Sequence, residues 1–139
     1  MCLNTVSNKT GYHISNVDKT TIVAWKVFRK SHGALGSPWR WKGDTYKTER
    51  WIVAYRMLVP LPDSAIYDCY YSGFHAFLTR SHARQVKNGM DDPCVEFVVR
   101  KVRLRGPKTF GTQNFDATTP RECPCVVGDE MFICKSTKG

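Results

Sequence analysis

The sequence predicts an α+β fold: a curved, mostly antiparallel sheet with one principal helix, at about 79–88, packed on it. Period-two runs of β-branched and aromatic residues recur at Thr21–Arg29, Trp51–Val59 and Cys94–Arg105. Only one stretch, from Thr79 to Asn88, combines helical spacing with a good N-cap and a following Gly. No repeat or linker divides the 139 residues, and 42% hydrophobic content is enough for a core, so a single domain over 1–139 is expected.

Residues 1–19 are polar, rich in Asn, Thr and Ser, and without period, which predicts an irregular N-terminal arm. In Thr21–Arg29, Val23, Trp25 and Val27 alternate with Ala24, Lys26 and Phe28, the pattern of a strand. Ser31–Gly43 holds three glycines and a proline and predicts a long loop carrying Trp39, Arg40 and Trp41. Asp44–Glu49 reads as a short strand or turn. Trp51–Val59 then extends until Pro60 and Pro62, which cannot donate to a ladder. Ile66–Tyr71 resumes extended structure, and Gly73 marks a bulge or a place where something must approach the backbone closely.

The helix starts at Thr79 or Ser81 and ends at Asn88-Gly89, a common left-handed cap pair. Leu78, His82 and Val86 recur at fourfold spacing and should face the sheet, leaving Arg80, Arg84 and Lys87 as a basic stripe. Cys94–Arg105 changes phase. Val95, Phe97 and Val99 share one face, whereas Val102 and Leu104 share the other, and a bulge near Arg100-Lys101 would restore a single apolar face. Gly106–Glu122 reads as a second long loop, a candidate lid or clasp. Cys125–Cys134 closes the chain as a strand after or across Gly128.

Lys and Arg number 21 against 12 Asp and Glu, a formal net charge of +9, which favours anionic partners: nucleotides, nucleic acid or acidic protein surfaces. The longest apolar runs fall far short of the roughly 20 residues a spanning helix needs, so no membrane partner is expected. Met1–Asn8 lacks the basic start and apolar core of a secretory signal, and reduced cysteines in the cytoplasm follow as the expectation. Cys123-Pro-Cys125 with Cys134 departs from the Cys-x2-Cys spacing of zinc sites, so neither metal nor cofactor is expected. Cys2 would become an N-terminal thiol on loss of Met1, a weak signal for nucleophilic catalysis.

The candidate binding residues combine rings for bases with guanidinium groups for phosphates. They are Trp39, Arg40 and Trp41 on the first loop, Phe74, His75 and Phe77 after Gly73, Arg80 and Arg84 on the helix, and Arg103 and Arg105 on the long strand. Together they predict the walls of an anion-and-ring pocket. No acid, nucleophile or metal set assembles around His75 in the sequence, so no catalytic residue is assigned.

The opening Met1-Cys2-Leu3, Trp25-Lys26-Val27, Gly43-Asp44 with Tyr46-Lys47, Gly73-Phe74-His75-Ala76-Phe77 followed by Ala83, and the closing Val99, Gly106, Val127 and Asp129-Glu130-Met131-Phe132-Ile133 resemble a group of small phage and bacterial proteins. That resemblance implies a phage-associated setting in the host cytoplasm and transfers no catalytic residue. Three functional expectations follow. The first is a non-catalytic protein that sequesters an anionic nucleotide, a sponge for a host immune signal, its site formed between subunits of a homo-oligomer. The second is nucleic-acid binding through the basic faces. The third is a NAD-using enzyme similar to ADP-ribosyltransferases, with His75 and Glu130 as its pair.

Overall fold

The computed structural model describes residues 5–6, 20–37, 45–54, 58–60, 69–90, 92–113 and 123–136. Among the described residues the strands are β1 (Thr5–Val6), β2 (Ile22–Ser31), β3 (Ala34–Gly36), β4 (Thr45–Tyr46), β5 (Trp51–Val53), β6 (Leu58–Pro60), β7 (Cys69–Tyr71), β8 (Phe74–Phe77), β9 (Glu96–Gln113) and β10 (Cys123–Ile133). One helix, α1 (Arg80–Gly89), follows β8. Every pairing among the described residues is antiparallel, and one helix lies on the sheet, so the α+β architecture is the one observed.

β9 is the hub of the sheet. Its first part, Glu96–Leu104, pairs with β2 over Ile22–Lys30, and its later part, Val102–Gln113, pairs with β10. β10 also pairs with β8 through Cys125–Gly128, and β8 returns to β2 at Phe77 and Trp25. The circuit β2–β9–β10–β8 therefore closes on itself. β3 and β4 extend β2 on one side, β5 pairs with β10 and β1 with β9, while β6 and β7 form a separate two-stranded ribbon.

Closure gives the sheet two apolar faces, each with its own cover. Ala24, Phe28, Phe74, Ala76, Val102, Leu104, Val126, Met131 and Ile133 form the inner cluster. Tyr46 joins them from β4, with its ring edge-on to Phe28 and Phe74 at 5.9 and 6.0 Å. On the outer face Ala83 and Val86 of α1 bury against Val27, Phe77, Cys123, Cys125 and Val127, with Trp25, Phe97 and Val99 at the margin.

This two-sided cover explains the phase change in Cys94–Arg105. Phe97 and Val99 lie under the helix and Val102 and Leu104 face inward, with unbroken β2–β9 register from Glu96 to Leu104. No bulge sits at Arg100-Lys101. The register shift lies farther on, where Gly106-Pro107 opposes Asp129 between the pairs Arg105–Glu130 and Lys108–Gly128. Gly106 adopts φ +83, a left-handed conformation that a side chain would resist, and Pro107 has no N–H to lose at such a point.

Other expectations shift for similar reasons. The predicted loop at 106–122 is strand as far as Gln113, because β10 pairs with it; residues 114–122 lie outside the described residues. The predicted loop at 31–43 contains β3, reached by a tight turn in which His32 and Gly33 both take positive φ, and 38–44 lie outside the described residues. Most of the N-terminal arm is likewise outside them, but Thr5–Val6 pairs with Thr112 and Gly111.

Thr79 caps α1: its hydroxyl accepts from His82 N–H at 3.3 Å and shares a 2.6 Å hydrogen bond with His82 Nδ1. The capping contact keeps His82 half-buried, and Ala83 joins Val86 beneath the helix in its place. Leu78 packs with the inner cluster instead. Gly89 is the last helical residue and Met90, in extended conformation, is the C-cap, so the expected left-handed Asn-Gly ending is not used.

Gly73 does sit at a close approach. A Cβ there would run into the carbonyl oxygen of Gly128, and one on Gly128 would meet Leu104 Cβ at 3.0 Å. Overpacking of this kind costs about 1–3 kcal/mol. Gly73→Ala is therefore expected to lower the unfolding free energy by that amount in a denaturant titration, whereas Gly89→Ala, whose Cβ meets nothing within 4 Å, leaves it unchanged or raised.

Candidate functional site

The predicted pocket residues separate once the chain folds. Phe74, His75 and Phe77 are 8%, 7% and 1% exposed, since β8 lies between β10 and β2 with the inner cluster on one side and α1 on the other. They are core and present no ligand wall. Arg80 and Arg84 remain exposed on α1. Trp39, Arg40 and Trp41 lie outside the described residues, as does Cys2.

His75 has a buried imidazole whose two nitrogens make no hydrogen bond, with Phe77 edge-on at 6.3 Å. Burial, reinforced by the charge of Lys26, holds its pKa well below the usual histidine value, so the ring is neutral. Lys26 is 8% exposed, donates to the His75 carbonyl at 2.6 Å and lies 5.9 Å from the centre of the Phe28 ring. Burial brings its pKa from 10.5 to about 8. Cys123 and Cys125 are buried, and burial raises both thiols, which keeps them protonated and poor nucleophiles. His75 and Glu130 do not meet as a catalytic pair, because the Glu130 carboxylate is taken by Arg105. Among the described residues no three His, Cys, Asp or Glu side chains gather as metal ligands.

A different constellation forms where β2, β9, β10 and β5 lie side by side beyond the end of α1. Cross-strand partners point to the same side of a sheet. The register Ile22–Leu104–Met131–Ile52 gives an inward row, and the adjacent register Val23–Arg103–Phe132–Trp51 gives an outward one. Burial agrees, since Leu104 and Met131 are 0% exposed while Val23 is 41% exposed and Arg103 is fully on the surface side. The neighbouring outward rows are Trp25 with exposed Lys101, and Arg105–Glu130–Val53, in which Val53 is 68% exposed.

The face is internally organised. The Arg105 guanidinium stacks on Trp51 at 3.9 Å and bonds Glu130 through Nε at 3.1 Å and Nη2 at 3.2 Å. The Trp51 ring in turn lies 5.6 Å from Phe132, tilted by 54°. Arg105 is thus engaged with both the Trp51 ring and the Glu130 carboxylate. Arg103 and Lys101 have apolar cross-strand neighbours, Val23 and Phe132 for one and Trp25 for the other, so their charges face solvent. Arg100 instead reaches back to the Cys134 carbonyl at 3.2 Å.

Of the predicted site residues, then, Arg103 and Arg105 meet on this face, and the ring partners are ones sequence reasoning assigned only to strands: Trp51, Phe132 and Trp25. The signal available was the alternation itself, which puts Trp51 on the face opposite Ile52 and Phe132 opposite Met131 and Ile133. What it lacked was the pairing of β5 with β10.

The buried Lys26 carries a measurable consequence. The unfolded chain holds a proton on this amine up to pH 10.5 and the folded chain only to about 8, so stability is lost as the pH falls from 10.5 through 8. At 1.36 kcal/mol per pKa unit the penalty at neutral pH is on the order of 3 kcal/mol. Lys26→Met is expected to be more stable than wild type at pH 7, with the advantage narrowing steadily towards pH 10.5; a difference independent of pH would contradict the buried charge. His75 acts in the same direction at lower pH, since protonation of the unfolded chain below about 6.5 draws it away from the fold.

The chain matches no protein-family model, and neither a curated protein nor a solved structure matches it.

Proposed function

We propose that the protein is a non-catalytic binder of an anionic, ring-bearing ligand of the nucleotide type, held on the outward face of β2, β9, β10 and β5. One observation carries the reading: the row Val23–Arg103–Phe132–Trp51, in which an exposed guanidinium stands beside aromatic rings with no carboxylate opposite it. A guanidinium matches phosphate oxygens and an aromatic ring accepts any base, so phosphate and base are met by adjacent side chains. The net charge of +9 draws anions towards it. The resemblance to small phage and bacterial proteins supplies the setting, a phage-associated protein in the host cytoplasm that sequesters a host ligand of this chemistry.

Native mass spectrometry of protein isolated from phage-infected cells tests this reading. The wild type is expected to carry an anionic, nucleotide-sized or larger adduct, and the doubly reversed variant Lys101→Glu/Arg103→Glu to lose it while keeping its melting temperature within a few degrees. A clean apo mass for the wild type, or an adduct that survives the reversal and disappears instead in Arg80→Glu/Arg84→Glu, overturns it.

A further inference from the structure

We infer that the ligand of this face is a single-stranded nucleic acid running along β9, with its bases over the neighbouring strands, an inference that rests on the nucleotide-type reading above and narrows it to a chain. Free nucleotides are held in concave sites that bury most of the ligand. Among the described residues this face is open at both ends, at Val23 on β2 with 41% exposure and at Val53 on β5 with 68%. Four strands spaced about 4.8 Å apart make a platform about 14 Å wide, broader than a single base.

The chemistry of the platform fits an unpaired strand. Phe132 and Trp51 form a ring pair, and Trp25 lies one row away, beside Lys101. Base-on-ring stacking needs bases free of a duplex, and it tolerates any sequence. Lys101 and Arg103 are two residues apart on one side of β9, about 6.8 Å at the usual strand rise, a separation comparable with that of successive phosphates along an extended strand. Neither faces an acid across the sheet. The Glu130 carboxylate on this face is neutralised by Arg105 through two hydrogen bonds. An acidic peptide would satisfy the two cations and leave the rings unused, so the rings favour nucleic acid.

Fluorescence anisotropy on the full chain, with a labelled 12-nucleotide single strand, its duplex and a labelled mononucleotide, each at two salt concentrations, tests the inference. The single strand is expected to bind more than tenfold tighter than the duplex or the mononucleotide. Arg103→Ala should weaken it and flatten the log–log salt slope by about 0.7, the share of one phosphate contact on a single strand. Phe132→Leu, which keeps the apolar contact but removes the ring, should cost roughly 5- to 160-fold, the worth of about 1–3 kcal/mol per stacked base. Glu96→Gln, a charge change at the far end of β9, should leave binding within twofold.

A duplex or a polyglutamate peptide bound as tightly as the single strand overturns the inference, as does a single-strand affinity indifferent to both Arg103→Ala and Phe132→Leu. A mononucleotide bound as tightly as the oligonucleotide, and lost in Arg103→Ala, defeats the chain while leaving the nucleotide-type reading in place. Binding of none of the probes defeats the chain inference, and the adduct measurement then decides the broader reading by itself.

Discussion

Three residues of β9, Val102, Arg103 and Leu104, are paired on both edges, to Ala24, Val23 and Ile22 of β2 and to Ile133, Phe132 and Met131 of β10. The rest of the structure depends on that double pairing. Strands on both edges satisfy every backbone donor and acceptor of the segment, so it can be buried without cost on its inner side, and Val102 and Leu104 are 0% exposed. The same pairing joins the early part of β9 to the late part. It lets the circuit through β10 and β8 return to β2, so this small sheet encloses a core between its own strands.

Closure divides the outer surface into two regions. α1 covers the part over Val27, Phe77, Cys125 and Val127, and its ten residues reach no farther than the margin at Trp25, Phe97 and Val99. Past that margin the outward positions of β9 carry Lys101, Arg103 and Arg105. The outward positions of β10 and β5 carry Phe132 and Trp51. A helix one or two turns longer would bury this region. Its lack of cover among the described residues is the physical reason to look here for a ligand. The aromatic rings do not sit bare: Arg105 packs over Trp51 and is anchored by Glu130, which fixes a ring in place before any ligand arrives.

Much of the fold was legible in the sequence because its determinants are local. The alternation in Thr21–Arg29, the Thr79 cap, the close approach at Gly73 and the outward placement of Arg103 and Arg105 all follow from neighbouring residues. The misreadings came from distant ones. The phase change in β9 reflects a helix on one side and an inner core on the other, and no local pattern distinguishes that from a bulge. The extension past Gly106 depends on β10, which pairs with it from beyond the intervening segment. Phe74–Phe77 illustrates a missed signal: a run that is apolar around a single histidine suits a strand covered on both faces, and the burial of His75 with no partner for its ring follows from that cover. The site itself was half legible, since its cations stand on one strand, while its rings come from strands brought alongside only by tertiary pairing.

The claim on which this account turns is that the uncovered face of β2, β9, β10 and β5, and not the helix, meets the ligand. Chemical-shift mapping on isotope-labelled protein titrated with a single-stranded oligonucleotide tests it most directly. The account predicts perturbations centred on the Lys101–Arg105 amides, Val23, Phe132 and the Trp51 indole N–H. Shifts confined to Arg80–Gly89, with the Lys101–Arg105 amides and the Trp51 indole unmoved, would contradict it.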